Sequence, residues 1–162
     1  MKTKVKVATA KTLIFPIGEL FLAVYLDAVE RVVRLPEIFK SGQKLLGVAQ
    51  VGDAEIIILD LHQKVYGIPS KSPVSHIIIL KTTGKISAQT KFGIPVSTLP
   101  EISDVLQSEI RPLPETYRHE DTLGIASHIF TVSKKDKTMT AFLLPPESLL
   151  DLFQTAKTES LT

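Results

Sequence analysis

Residues 47–61 read GVAQVGDAEIIILDL, and the reading of this stretch decides the fold. GVAQV alternates loosely, Gly52-Asp53 interrupts it, and EIIIL follows as an unbroken apolar run closed by Asp60. Glycine and aspartate tolerate positive φ, so Gly52-Asp53 reads as a hairpin turn between two strands. A four-residue aliphatic run without alternation reads as a strand buried on both faces or nearly so. Asp60 then has two readings. It is a carboxylate at the end of a buried strand, where catalytic groups sit, or it is a cap. The next residues, LHQKVYGIP, have the length of one helical turn closed by Gly67 and Pro69, and aspartate before such a turn accepts backbone N–H bonds. The cap is the stronger reading.

Working outward, the same grammar recurs. TLIFPIGELFLAVYL reads as strand, tight turn at Gly18-Glu19, and strand. DAVERVVRL (27–35) is valine-dense and short, which favours a strand over a helix, and Pro36 ends it. Residues 37–46 form a polar connection. HIIIL (76–80) is a further strand, leading through KTTGK to ISAQTKFGIPV. LPEISDVLQSEIRPLPETY reads as a strand and then an extended, proline-punctuated connection. GIASHIFTVSKKDKTMTAFLL is a hairpin around the charged tip SKKDK. Only PPESLLDLFQTAK has the marks of a helix: Pro146 at its start, Glu147 in the first turn and leucines at helical spacing. Short strands at roughly ten-residue intervals with one terminal helix predict an all-β, barrel-type protein, with a sandwich as the competing architecture. IPSKSPVS (68–75), with its prolines and serines, is the expected internal seam, and no sequence repeat is evident.

Composition bounds the function. A chain of 162 residues is one domain or two small subdomains sharing a core. No apolar run reaches the length of a membrane span, so no membrane insertion is expected. The basic start MKTKVKVATAKTLIF lacks the apolar core and cleavage site of a secretory signal. The absence of cysteine removes disulfides and thiol chemistry and fits a reducing, cytoplasmic setting. The net charge is +2, and Lys2, Lys4, Lys6 and Lys11 lie in the N-terminal segment. The body therefore offers no basic face, and nucleic acid is not an expected partner.

The search for chemistry yields no constellation. His62, His76, His119 and His128 show no helix-borne metal spacing, and no phosphate-cradling glycine motif or nucleophile elbow occurs. Glu101/Asp104 and Glu120-Asp121 lie in polar stretches, where solvated charge is the simpler reading. Catalytic residues, metals and cofactors are expected to be absent.

Four blocks in order carry a resemblance. GVAQVGDAEIIILDL resembles the signature G-V-x-N-L-R-G-x-I-x-P-V-x-D-L of CheW-like domains, with Gly47, Val48, Asp60 and Leu61 matching and Gln50 and Val51 as close substitutes. LIFPIGELFLAVYLDAVERVVRLPEI is similar to the family's opening block F-x-L-G-x-x-x-Y-A-l-P-l-x-x-V-x-E-V. FGIPVSTLPEISDVLQSEIRPLPE is similar to its G-l-x-V-D-x-V…I-x-P-x-P block through Ile110, Pro112 and Pro114, and LLPPESLL to its closing segment.

The resemblance implies two SH3-like, five-stranded β-barrels side by side over residues 12–152, with a short C-terminal helix. The basic residues 1–11 read from the sequence as a flexible tail, with a second tail at 153–162, and the C-terminal part of the domain is expected to return to the first barrel. The resemblance also implies a non-catalytic adaptor that couples a chemoreceptor's helical tip to the regulatory domain of a CheA-type histidine kinase. The partner-facing positions would include Val29, Gly47, Ile94 and Val96, although core packing is an equal reading for Val29, Ile94 and Val96. The chain departs from the pattern at Arg31, where glutamate is usual, and at Gly52-Asp53, where arginine and glycine are usual. Ser97 and Ile57 replace a usual aspartate and proline. Arg31 and Asp53 are expected to restore a charge pair with reversed polarity, making Arg31, Gly52 and Asp53 candidate specificity positions. The alternative is a binding or sensor module on this scaffold that is no longer coupled to a kinase.

Overall fold

The computed structural model describes residues 8–34, 39–40, 46–81, 91–114 and 125–160, with 39–40 and 155–160 as backbone only. Lys2, Lys4 and Lys6, most of the 37–46 connection, residues 82–90, and His119 with Glu120 and Asp121 lie outside the described residues.

Twelve strands form two six-stranded sheets among the described residues. In chain order they are β1 (Thr9–Ile17), β2 (Leu20–Tyr25), β3 (Val29–Arg34), β4 (Phe39–Lys40), β5 (Leu46–Val51), β6 (Ala54–Leu59), β7 (His76–Leu80), β8 (Lys91–Val96), β9 (Glu101–Leu106), β10 (Arg111–Pro112), β11 (His128–Lys134) and β12 (Lys137–Leu143). Helix α1 (Leu61–Tyr66) follows β6, and α2 (Pro146–Ser160) follows β12. The sheet orders are β10-β11-β12-β2-β1-β9 and β3-β7-β8-β6-β5-β4. Each holds six strands rather than the expected five, because the two-residue strands β4 and β10 pair at the edges. Pro112, which has no N–H to donate, is tolerated in β10 because that strand is an edge.

Each sheet curls into a barrel. In the first, Lys134 at the end of β11 forms an ion pair with Glu101 of β9, although these strands stand four places apart in the sheet order. Val105 of β9 and Phe130 of β11 likewise share one interior cluster.

The connectivity is intertwined. The β1–β2 hairpin belongs to the first barrel, but β3–β6 build the second. The β7–β8 hairpin then completes the second, and β9–β12 return to complete the first. Both halves repeat one plan: a hairpin whose second strand pairs in parallel with the last strand of the other half's meander, β2 with β12 and β8 with β6. The chain shows no sequence repeat, yet the two halves are structurally equivalent.

Burial explains why the strands have these sequences. On β1, Leu13, Phe15 and Ile17 face a cluster shared by both barrels, and Ile14 faces the interior of the first barrel. On β7, Ile78 and Leu80 join the shared cluster, while Ile77 and Ile79 fill the second barrel. A strand buried on both faces carries apolar residues at every position, hence LIF, HIIIL and EIIIL. Gly93 admits the second barrel's packing: a Cβ there would stand 2.7 Å from Ile77 Cγ2.

The two helices close the ends of the shared core. Asp60 is the N-cap of α1; its Oδ1 accepts the Gln63 N–H at 3.1 Å, and Gly67 at φ 77° ends the helix. The question raised by GVAQVGDAEIIILDL resolves to a β5–β6 hairpin with a structural aspartate. Helix α2 buries Leu149 and Phe153, and the Phe153 ring lies 4.5 Å from Phe92 of the second barrel.

Both stretches expected to be tails overlap regular structure. Residues Thr9–Lys11 pair with β9, with Lys11 Nζ 3.6 Å from Asp104, and α2 runs to Ser160 with Phe153 only 2% exposed. Strand pairing at Thr9–Lys11 needs only backbone groups, so polar side chains there gave no sign of it. The apolar spacing of Leu149, Leu150, Leu152 and Phe153 carries the helix past residue 152.

Because each half lacks the strands that complete its barrels, fragments cut in the exposed 68–73 segment are expected to be unfolded alone and to fold together when mixed, as circular dichroism of each fragment and of the mixture would reveal. Asp60→Ala should lower stability by about 1 kcal/mol in urea unfolding without altering the fold, the usual cost of losing such a cap.

Candidate functional site

Between the barrels runs a groove. One wall is the end of β1 and its turn, Pro16 to Gly18; the other is Gly47 on β5, Asp60 and His62 at α1, and Pro95 to Ser97 at the end of β8. The extended segment Pro69–Val74 contributes to its lining, and the enclosed part measures about 200 Å³. A shallower extension continues over Glu19, Tyr66, Ile68 and Lys71. The lining is proline, glycine, serine and aliphatic carbon with few charges. Tyr66 and Ile68, 40% and 54% exposed, are apolar surface at its mouth.

The walls are stiff for local reasons. His62 and Tyr66 lie one turn apart on α1, with ring centroids 4.6 Å apart. His62 Nδ1 lies 2.7 Å from the Ile68 carbonyl, which holds the chain leaving α1 against the helix. At the end of β8, the Ser75 N–H donates to the Val96 carbonyl at 2.9 Å. Ser75 Oγ also lies 2.8 Å from Nδ1 of its chain neighbour His76. Among the described residues no three His, Asp or Glu side chains cluster as a metal site would require.

A second feature lies on the outside of the second barrel. Arg31, Val51, Gly52, Asp53, Ala54, Glu55 and Lys91 line an open recess. The expected Arg31–Asp53 ion pair is not formed. β3 carries a β-bulge here: Val29 pairs with Leu80 and Arg31 with Ile79, so Glu30 is an extra residue. Its carboxylate receives two hydrogen bonds from Lys91 Nζ, at 2.9 and 2.8 Å. An acid is thus present on β3 after all, one residue before the position at which the sequence pattern anticipates it. Asp53 stands beside Gly52 (φ 59°) in the β5–β6 turn, which Gln50 braces through its Nε2 to the Gly52 carbonyl at 3.1 Å.

The seven candidate residues therefore separate into three places. Gly47 and Val96 line the groove. Arg31, Gly52 and Asp53 line the charged recess. Val29 and Ile94, 8% and 0% exposed, are packed in the shared core, where Ile94 has no surface to offer a partner. Val96 is itself only 2% exposed, so it shapes the groove floor more than it presents contact area. The pair Glu101/Asp104 sits exposed on β9 with lysine partners, as solvated charge does.

Sequence reasoning missed Tyr66, His62, Glu30 and Lys91. Nothing in the sequence singles out Glu30, because a bulge leaves no compositional mark. Tyr66 sits in a one-turn helix whose neighbour in space is a hairpin turn 47 positions earlier. Two further apolar residues stand exposed at the edge of the first barrel, Leu99 and Ile102 at 66% and 62%.

Comparison with known proteins follows from this geometry. No curated protein is significantly similar to the chain in sequence. Among solved structures, the scaffolding protein TtCheW from Thermoanaerobacter tengcongensis is similar in fold, with a TM-score of 0.62 and 24% identity over 85% of this chain and 91% of that one. No described helix is long and apolar enough to cross a membrane. The CheW-like domain profile matches residues 11–153, spanning both barrels and the first half of α2, and the chain belongs to the CheW-like domain family, a family of scaffold and adaptor proteins of chemotaxis-type signalling.

Proposed function

We propose that the protein is a cytoplasmic adaptor in a chemotaxis or motility pathway, coupling the helical tip of a methyl-accepting chemoreceptor to the regulatory domain of a CheA-type histidine kinase. The observation that carries this reading is the inter-barrel groove in a member of this family. Its walls are two rigid barrels, its lining is small and apolar, and it is open at one end over Tyr66 and Ile68. A helical hairpin entering such a groove would place aliphatic side chains at helix spacing against Gly47 and the Pro95–Ser97 end of β8. Pre-formed walls lower the ordering cost of association.

The charged recess suits the kinase side. Arg31, Asp53, Glu55 and Lys91 line it, with Glu30 paired to Lys91, so it offers both signs of charge, which suits selection among homologous partners by complementarity and by repulsion of wrong ones. A fold of this kind hosts many functions, so the assignment rests on the site and the family together. The second reading, a binding or sensor module uncoupled from the kinase, draws on the exposed and mutually unpaired Arg31 and Asp53.

Both readings meet the same experiment, binding of the purified protein to its host's CheA-type regulatory domains and to a chemoreceptor's soluble helical hairpin. Binding to both supports the adaptor; binding to the hairpin alone, or to neither, favours the second reading. Gly47→Asp sets a carboxylate into the groove and should weaken hairpin binding by at least about thirtyfold, the scale of burying an unpaired charge at an interface. Asp53→Lys should slow kinase-domain association and change its salt dependence, measured by stopped flow, with a thermal midpoint near that of the natural protein.

A further inference from the structure

Tyr66 joins the two barrels across the mouth of the groove. It is the last residue of α1, an element of the second barrel, and its ring lies on the β1–β2 turn of the first. Its hydroxyl donates to the Ile17 carbonyl at 3.1 Å and accepts the Glu19 N–H at 3.1 Å. Those two backbone groups flank Gly18, so one phenol satisfies both sides of an exposed turn. Gly18 makes the contact possible twice over. Its φ of 62° shapes the turn, and a Cβ there would stand 2.6 Å from Tyr66 Cε2, so a side chain could be accommodated only by displacing the ring. The His62 ring lies against the Tyr66 ring, tilted by 38°.

This contact differs from the rest of the barrel junction. The shared core sets how the barrels pack, but it lies beneath the groove. Tyr66 acts at the rim, between the two walls that a docking helix would meet. Gly18 and His62 line both the enclosed recess and its extension, so the clasp stands where the two meet. Tyr66 is 40% exposed, so its hydroxyl bonds compete with water and are within reach of an arriving partner.

We infer that Tyr66, seated on Gly18, is a positioning residue that sets the width of the inter-barrel groove for its docking partner. The inference rests on the proposed docking role of the groove. Fixing the rim in the unbound protein spares the partner the cost of ordering it, so loss of the clasp should appear as weaker docking with little change in global stability.

The absence of cysteine makes a direct test simple, since two introduced thiols are the only labelling sites. Spin labels at Glu19→Cys and Lys71→Cys, both exposed beside the groove extension, report its width by pulsed electron resonance without any partner. Tyr66→Phe keeps the ring and removes both hydroxyl bonds. The expected result is a broader or longer distance distribution, a nearly unchanged thermal midpoint, and about tenfold weaker binding of a chemoreceptor's soluble helical hairpin. Gly18→Asn provides the second arm, because asparagine tolerates positive φ while its Cβ displaces the ring. It should widen the groove in the natural background and add nothing to Tyr66→Ala. An unchanged distance distribution in Tyr66→Phe and Gly18→Asn would overturn the clasp. A widened groove with unchanged hairpin affinity would overturn the positioning role. If the unsubstituted protein binds no hairpin, the docking role fails, and the positioning role with it, while the distance measurement still decides whether the clasp exists.

Discussion

Every other feature of this protein depends on one hydrophobic layer that belongs to neither barrel alone. Leu13, Phe15, Leu22 and Val24 enter it from the first hairpin, and Ile78, Leu80, Phe92, Ile94 and Val96 from the second; Leu149 and Phe153 of α2 cover its end. Fully burying each such side chain contributes about 1.5–3 kcal/mol relative to exposure, so the layer is worth more than either small barrel interior could supply. Small barrels have little interior to fill, and here the two interior clusters are indeed the lesser ones. The exchange of hairpins between halves follows from this. A strand with one face in a barrel and the other in the shared layer is held from both sides, and the barrels cannot separate without exposing it.

That rigidity is what an adaptor needs. A groove whose floor is the edge of a close-packed core has a defined shape before any partner arrives, and close-packed interiors deform little. The rim is a different matter, since only exposed contacts act there. The single phenol bridging Ile17 and Glu19 supplies at the surface the constraint that the buried layer supplies below. Charge is handled in the same economical way. The bulge at Glu30 turns a carboxylate toward Lys91 and leaves Arg31 and Asp53 facing solvent. Such exposed groups do little for stability.

Family membership and local geometry bear on different parts of the conclusion. The CheW-like match over residues 11–153 fixes the kind of protein, and the twelve-strand intertwined topology agrees with it. The specific surfaces come from the side chains of this chain alone. Positions that a pattern would nominate as contacts divide between groove, charged recess and inaccessible core, and only the tertiary structure separates them. The resemblance nominates both Ile94 and Gly47; one is wholly buried and the other lines the groove.

By itself, the sequence determined what depends on near neighbours in the chain. The turns at Gly18-Glu19 and Gly52-Asp53, the cap at Asp60, the helix stop at Gly67 and the terminal helix from Pro146 all follow from local backbone preferences, and all are found there. The all-β class was legible because apolar runs of four or five residues are too short for helices and too regular for loops. The tertiary structure alone decided what joins residues far apart: which half completes which barrel, which face of a doubly buried strand meets which core, and that Tyr66 meets a turn 47 positions earlier. Alternation patterns are silent for strands buried on both sides, because every position is apolar and neither face is marked. Strand pairing and bulges are settled by backbone hydrogen bonds that all residues share, so Thr9–Lys11 joined a sheet and Glu30 left the register without any sign in their side chains.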